Sequence, residues 1–270
     1  MVKRKNKAGM ASNGFRALLR VLFFLLALSG PLHAEEAIVE DLPLGQIDWT
    51  RGELQVKGIG NRPEGVLPLQ GQQLARRSAI ADAFRKLLGL TDKIRISNQK
   101  ALGGSESARI RLEAAVKGAS IGEPRFLSDG SAHVELSLPL FGRRSLAQAL
   151  PPILIRKAEG RPSSRGSRTG LIVDARGLGC RPSLNPSVLD LGGRELYGGA
   201  IGPGSEGINY FSSLEAAGLR SGPRPLVLRA IRASGPLKTD LVLGEEEAKR
   251  LSVEEKRSSF RKSFCVLIDR

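Results

Sequence analysis

The chain has 270 residues, with 42 Lys and Arg against 27 Asp and Glu, a formal net charge of +15, 41% hydrophobic residues and only 4% aromatics. That balance excludes a disordered chain, a collagen-like repeat and a multispanning membrane protein, and the length suits one large or two small domains. The excess charge is not spread evenly. Residues 1–34 hold six bases and no acid, and residues 156–168 hold five bases and one acid. The remainder is close to neutral. With few aromatic rings to stack on bases, nucleic acid is not an expected partner.

Residues 1–34 have the three parts of a secretory signal peptide. A basic stretch precedes the apolar run from Val21 to Leu28, then come Ser29, Gly30 and Pro31, and the segment closes on Leu32-His33-Ala34. The run is shorter than the ~20 residues that span a bilayer. Cleavage is expected between Ala34 and Glu35, which gives an exported, periplasmic chain with no span left after signal removal. In an oxidising compartment Cys180 and Cys265 could pair, closing a loop worth ~4 kcal/mol at best. Cys265 also sits in the apolar run Phe264-Cys265-Val266-Leu267-Ile268, where a free core thiol is equally natural.

Taken in order, Asp48 to Ile59 predicts a strand. Gln72 to Leu88 predicts a helix with Leu74, Ala81, Phe84 and Leu88 on one stripe, widened by Ile80 and Leu87, and with Gly89 just past its end. Arg76 and Arg77 are expected to point mainly to solvent or the domain rim and form a candidate interaction face. Ile94 and Ile96 mark a short strand. From Arg109 to Val116, Ile110, Leu112, Ala114 and Val116 alternate with polar residues, which predicts a strand. Ser128-Asp129-Gly130 predicts a hairpin turn, followed by a strand alternating Ala132, Val134, Leu136 and Leu138. The first unit, 35–155, therefore reads as a helix packed on an antiparallel sheet.

Residues 156–168 read as a basic linker. Beyond it, 169–270 reads as a smaller, β-rich α+β domain. Leu171-Ile172-Val173 predicts a central strand, and 177–207 predicts loops and short strands. Strands are expected over 226–231 and 239–243, a charged helix over 245–262 and a closing strand over 264–268.

Catalytic patterns are sparse. Gly58-Ile59-Gly60 and Gly177-Leu178-Gly179 lack the third glycine of a dinucleotide fingerprint and read as turn glycines. His133 is the one histidine outside residues 1–34, on the polar side of a strand, so neither a zinc site nor a Ser-His-Asp triad is expected. Asp174, at the end of the strand 171–173, is the only acid placed as a catalytic group would be; acids there also cap turns. No cofactor or metal is expected.

Four stretches carry a resemblance: Val56-Lys57-Gly58-Ile59-Gly60; Leu74-Ala75-Arg76-Arg77-Ser78-Ala79-Ile80-Ala81-Asp82-Ala83; Val116-Lys117-Gly118-Ala119; and Asp129-Gly130 through Leu138-Pro139-Leu140-Phe141-Gly142. Together, over about 50–145, they resemble the bacterial envelope lipoprotein family related to the N-terminal domain of flagellar assembly protein T. The resemblance implies a cell-envelope location, with outer-membrane association, and other envelope proteins, flagellar basal-body components among them, as partners. The expected function is non-enzymatic binding or assembly. The alternative is a periplasmic hydrolase or ligand-binding enzyme using Asp174 and the Gly-rich loops after it.

Overall fold

The computed structural model describes residues 37–91, 93–97, 100–101, 106–149, 168–198, 207–255 and 263–269. The Ala34–Glu35 cleavage point and, except for Arg168, the basic stretch 156–168 lie outside them. The described residues from 37 onward form one compact unit. It contains two large sheets and four helices among the described residues, a mixed α+β architecture.

The first sheet is antiparallel, in the order β1 (Val39–Leu42), β2 (Gly45–Asp48), β3 (Glu53–Gly60), β8 (Ala132–Pro139) and β6 (Ser120–Ile121). Strand β7 (Arg125–Phe126) also pairs with β8, across a turn in which Gly130 takes φ 81°. Strand β8 alternates as its sequence predicts: Ala132, Val134, Leu136 and Leu138 face the core and His133, Glu135 and Ser137 face outward.

Helix α1 (Pro68–Thr91) covers the inner face. It starts on a proline, whose missing N–H is no loss in the first turn. It runs past Gly89 rather than ending there. A side chain at Gly89 would meet Leu44 Cδ1 at 2.7 Å, so the glycine makes room for the β1–β2 hairpin. The buried side is Gly71, Ala75, Ala79, Ala83, Leu87 and Leu90, a rotation away from the stripe expected from size alone. Ala81 is exposed, and Ile80, Phe84 and Leu88 are only partly buried at the border of the core. The reason lies in β3. Gly58 and Gly60 are strand residues, not turn residues, and the helix lies directly on them. A Cβ at Gly58 would collide with Ala79 O and come within 2.6 Å of Ala83 Cβ, and one at Gly60 would collide with Ala75 O. Small residues on both partners let the backbones touch, so the larger apolar side chains flank the contact. Leu87→Ala is accordingly expected to cost ~2–5 kcal/mol, and Phe84→Ala less than Leu87→Ala, in urea denaturation. The reverse order would misplace the core.

Residues 109–116 are not a strand. They belong to helix α2 (Glu106–Val116), with Leu112 and Val116 buried and Ile110 61% exposed. Leu112 and Val116 satisfy a four-residue spacing as well as a two-residue one, and the Arg, Glu, Leu and Ala around them favour helix. Strand β3 starts at Glu53 rather than Asp48. The stretch before it holds β2 and a turn, with Gly52 at φ 70°.

The expected strand at Ile94–Ile96 is β4 (Arg95–Ser97), paired with β5 (Lys100–Ala101). The second sheet has the order β11 (Glu195–Gly198), β10 (Ser187–Leu189), β14 (Asp240–Leu243), β13 (Leu226–Ser234), β9 (Leu171–Asp174), β15 (Phe264–Leu267) and β12 (Ile208–Phe211). Strand β9 is central, parallel to β13 and β15, and buried on both faces as its continuous apolar run requires. Helix α3 (Leu214–Ser221), capped by Ser213, is an element beyond those the sequence pattern predicts; it packs on β9, β12 and β15. Helix α4 (Glu245–Glu255) places Glu245, Glu246 and Glu247 in its first turn, where the helix dipole favours them.

The two sheets are joined by a polar seam through the core. Trp49 O accepts from Tyr210 N at 3.2 Å, Thr50 Oγ1 donates to Tyr210 O at 2.7 Å, and Asn209 Nδ2 donates to Thr50 O at 2.8 Å. At the other side of the seam Arg95 Nη1 donates to Glu40 Oε1 at 2.9 Å and Arg95 Nε donates to Pro182 O at 2.8 Å. Trp49 Nε1 donates to Glu40 Oε2 at 3.0 Å. The Arg95 guanidinium lies 5.9 Å from the Trp49 ring centre, and Trp49 meets Tyr210 edge-on at 5.7 Å. Burial would raise the Glu40 carboxyl, but the Arg95 and Trp49 hydrogen bonds and the Arg95 charge outweigh it and hold it below the usual range.

Candidate functional site

Asp174 ends β9 and enters a tight turn. Its Oδ1 accepts from Arg176 N at 3.1 Å and from Arg176 Nε at 2.9 Å, while Oδ2 accepts from Arg176 Nη2 at 2.7 Å. The Arg176 fork holds this carboxyl below its ordinary range, so it is ionised and already engaged. Gly177 and Gly179 take φ 80° and 62°, the turn role expected of them, and Gly177 N donates to Asp269 Oδ2 at 2.6 Å. A carboxylate gripped at both oxygens acts as the turn's cap.

No disulfide joins Cys180 to Cys265 in the structure. Cys265 is fully buried with Ile172, Leu267 and Ala217, and Ser221 Oγ donates to its Sγ at 3.2 Å. Cys180 is partly buried against the main core cluster, to which Cys265 does not belong. Burial pushes the Cys180 thiol up to about 12, with Asp240 adding to the effect.

Arg76 and Arg77 are both exposed, Arg77 on the side of α1 away from the alanines that seat it and Arg76 at the border of its buried side. His133 is half-buried on the outer face of β8, across from Ile59. Among the described residues no group of His, Cys, Asp and Glu is arranged to hold a metal. No helix among them is long and apolar enough to cross a membrane.

The outer face of the first sheet carries a feature that sequence reasoning passed over, a groove of about 670 Å3 running across β2, β3, β8 and β6. Its middle is a transverse row built by register. Gln46 pairs with Gln55, Gln55 with Ser137, and Ser137 with Ser120. Four neighbouring strands thus present amide, amide, hydroxyl and hydroxyl at the ~4.8 Å interstrand spacing. Gln46 Nε2 donates to Gln55 Oε1 at 2.8 Å, and Gln55 Nε2 donates to Glu53 Oε2 at 3.2 Å. Lys57 and Glu135 face each other on one flank of the row, and Arg125 Nη2 donates to Glu135 Oε1 at 3.1 Å. Gly45 closes one end; any side chain there would strike Gln55 O and reach within 2.8 Å of Val56 Cγ1. The alternation of β3 and β8 puts these polar groups outside, but their alignment depends on partners far apart in the chain.

Residues 170–268 match the family defined by the second domain of Treponema pallidum Tp0624. The match covers the second sheet and is what this part of the chain is similar to. No curated protein matches the chain.

Proposed function

We propose that this chain is an exported cell-envelope protein that binds or helps assemble other envelope components without catalysis, working in the periplasm. The observation that carries the reading is the mounting of α1. Its inner side is locked onto Gly58 and Gly60, so Arg76 and Arg77 are held outward on a rigid helix, the kind of support a docking face needs. The signal-like residues 1–34 support export. The resemblance of 50–145 to the flagellar assembly protein T relatives supports basal-body or outer-membrane components as partners. The enzymatic alternative rested on Asp174, whose two oxygens are taken up by Arg176.

The test has two readouts. Intact mass of the protein from the periplasmic fraction should begin at Glu35; a retained 1–34 would overturn the export argument. A photo-crosslinking residue at position 76 or 77 in living cells should give discrete adducts with envelope proteins, basal-body components among them, while the same residue at exposed position 232 gives none. Equal adducts at all three positions would remove α1 as the docking face.

A further inference from the structure

The groove across the first sheet has no role in the helix-face reading, since α1 covers the opposite side of the sheet. We propose that this groove is a binding site for a neutral saccharide chain laid across the strands. Its volume, about 670 Å3, is in the usual range for ligand sites, which are mostly apolar, whereas polar and apolar groups line this one about equally. The row Gln46, Gln55, Ser137 and Ser120 offers donors and acceptors together at each step, because an amide and a hydroxyl each do both. A ligand that satisfies such a row must also present donor–acceptor groups repeatedly, at the ~4.8 Å step set by the strands. A pyranose chain does this: its repeat is close to the interstrand spacing, and each ring carries hydroxyls that both give and accept hydrogen bonds.

Other ligand classes fit less well. An extended peptide docks on a sheet edge, where backbone groups are free, whereas here the backbone of β3 and β8 is already paired in the ladder. A strongly anionic ligand would meet Glu53 and Glu135 on the two flanks, against Lys57 as the one cation among the lining residues, while Arg125 is already held by Glu135. The central row is uncharged, which selects a neutral chain. The Gln46–Gln55–Glu53 hydrogen bonds hold the amides in place before binding, so little side-chain freedom is lost on association.

The experiment is an NMR or calorimetric titration of the exported full chain with the β-1,4-linked tetramer of N-acetylglucosamine. Saturable binding is expected, with shifts centred on Gln46, Gln55, Ser120 and Ser137. Gln55→Ala and Ser137→Ala, both outward-facing and expected to fold, should each weaken it by about tenfold, a lost hydrogen bond's worth. Arg232→Ala on the second sheet should bind as wild type. No saturable binding, or binding that both groove variants leave unchanged, would overturn the proposal. A Ser137→Trp variant that fills the groove yet keeps full affinity would do the same. None of these outcomes bears on the crosslinks at positions 76 and 77, so the two readings fail separately.

Discussion

Gly58→Ala should destabilise the protein by about 3 kcal/mol or more, at the upper end of what one added methyl does to a packed interior. The reason is the identity of the obstructing atoms. The new Cβ would meet Ala79 O, Ala83 N at 2.7 Å and Ala83 Cβ at 2.6 Å. Two are helix backbone and one is fixed to it, so no side chain can swing aside and α1 must lift from the sheet. Leu87 and Leu90, fully buried on the same side, would lose contact along with it. A melting temperature lower by about 6–12 °C is the corresponding readout. Gly60→Ala should act the same way through Ala75 O. The double variant should cost less than the sum, because one displacement of the helix relieves both collisions. A Gly58→Ala protein that melts with wild type would show that helix and strand are not in direct contact.

Arg95→Met is expected to cost ~3–5 kcal/mol, because it strips the counter-charge from a carboxylate in the seam and leaves Pro182 O without its donor. The pH dependence follows from Glu40. Its folded-state value is depressed, so its contribution is fully present above the unfolded carboxyl value of ~4.3 and disappears as pH falls through the folded value. Wild type should therefore lose stability on acidification below about pH 5. Arg95→Met should lose less over the same window, because Glu40 without its partner no longer prefers the charged form. Urea midpoints of both proteins between pH 7 and pH 3 measure the difference. Parallel curves would mean that the pair does not contribute. Adding Glu40→Leu to Arg95→Met should recover part of the loss, since it removes the unpaired charge.

How far the fold is legible in the sequence depends on where each pattern gets its meaning. Strand β8 is readable because one face meets the core and the other meets water, so its period of two is written in polarity. Strand β9 is readable because both faces are buried. Helix α1 is readable in existence but not in orientation: side-chain size points to Phe84 and Leu88, whereas the contact is set by two glycines on a strand distant in sequence. Helix α2 misleads because eight residues with Leu112 and Val116 four apart fit either period. The hairpin of β1 and β2 is polar and short, and its burial comes only from neighbours. The groove was beyond reach for a different cause. Gln46, Gln55, Ser120 and Ser137 are ordinary outward residues until β2, β3, β6 and β8 are set in register. Arg95 and Glu40 carry no local sign of their pairing, which is made 55 positions apart.

The position of β12 has a consequence for how this chain can be divided. It is an edge strand of the second sheet, yet all four of its residues are buried: Phe211 lies in the cluster with Ala216 and Ala217 of α3, and the Trp49–Thr50 turn of the first sheet bonds to Asn209 and Tyr210. The turn acts as a guard against strand addition by another chain. The part matched to the Tp0624 second domain, cut out on its own, would lose the hydrogen bonds that this turn makes to Asn209 and Tyr210 along the edge. Modularity in sequence is then not autonomy in solution: in this chain the edge of the matched part is shielded by a turn that lies outside it.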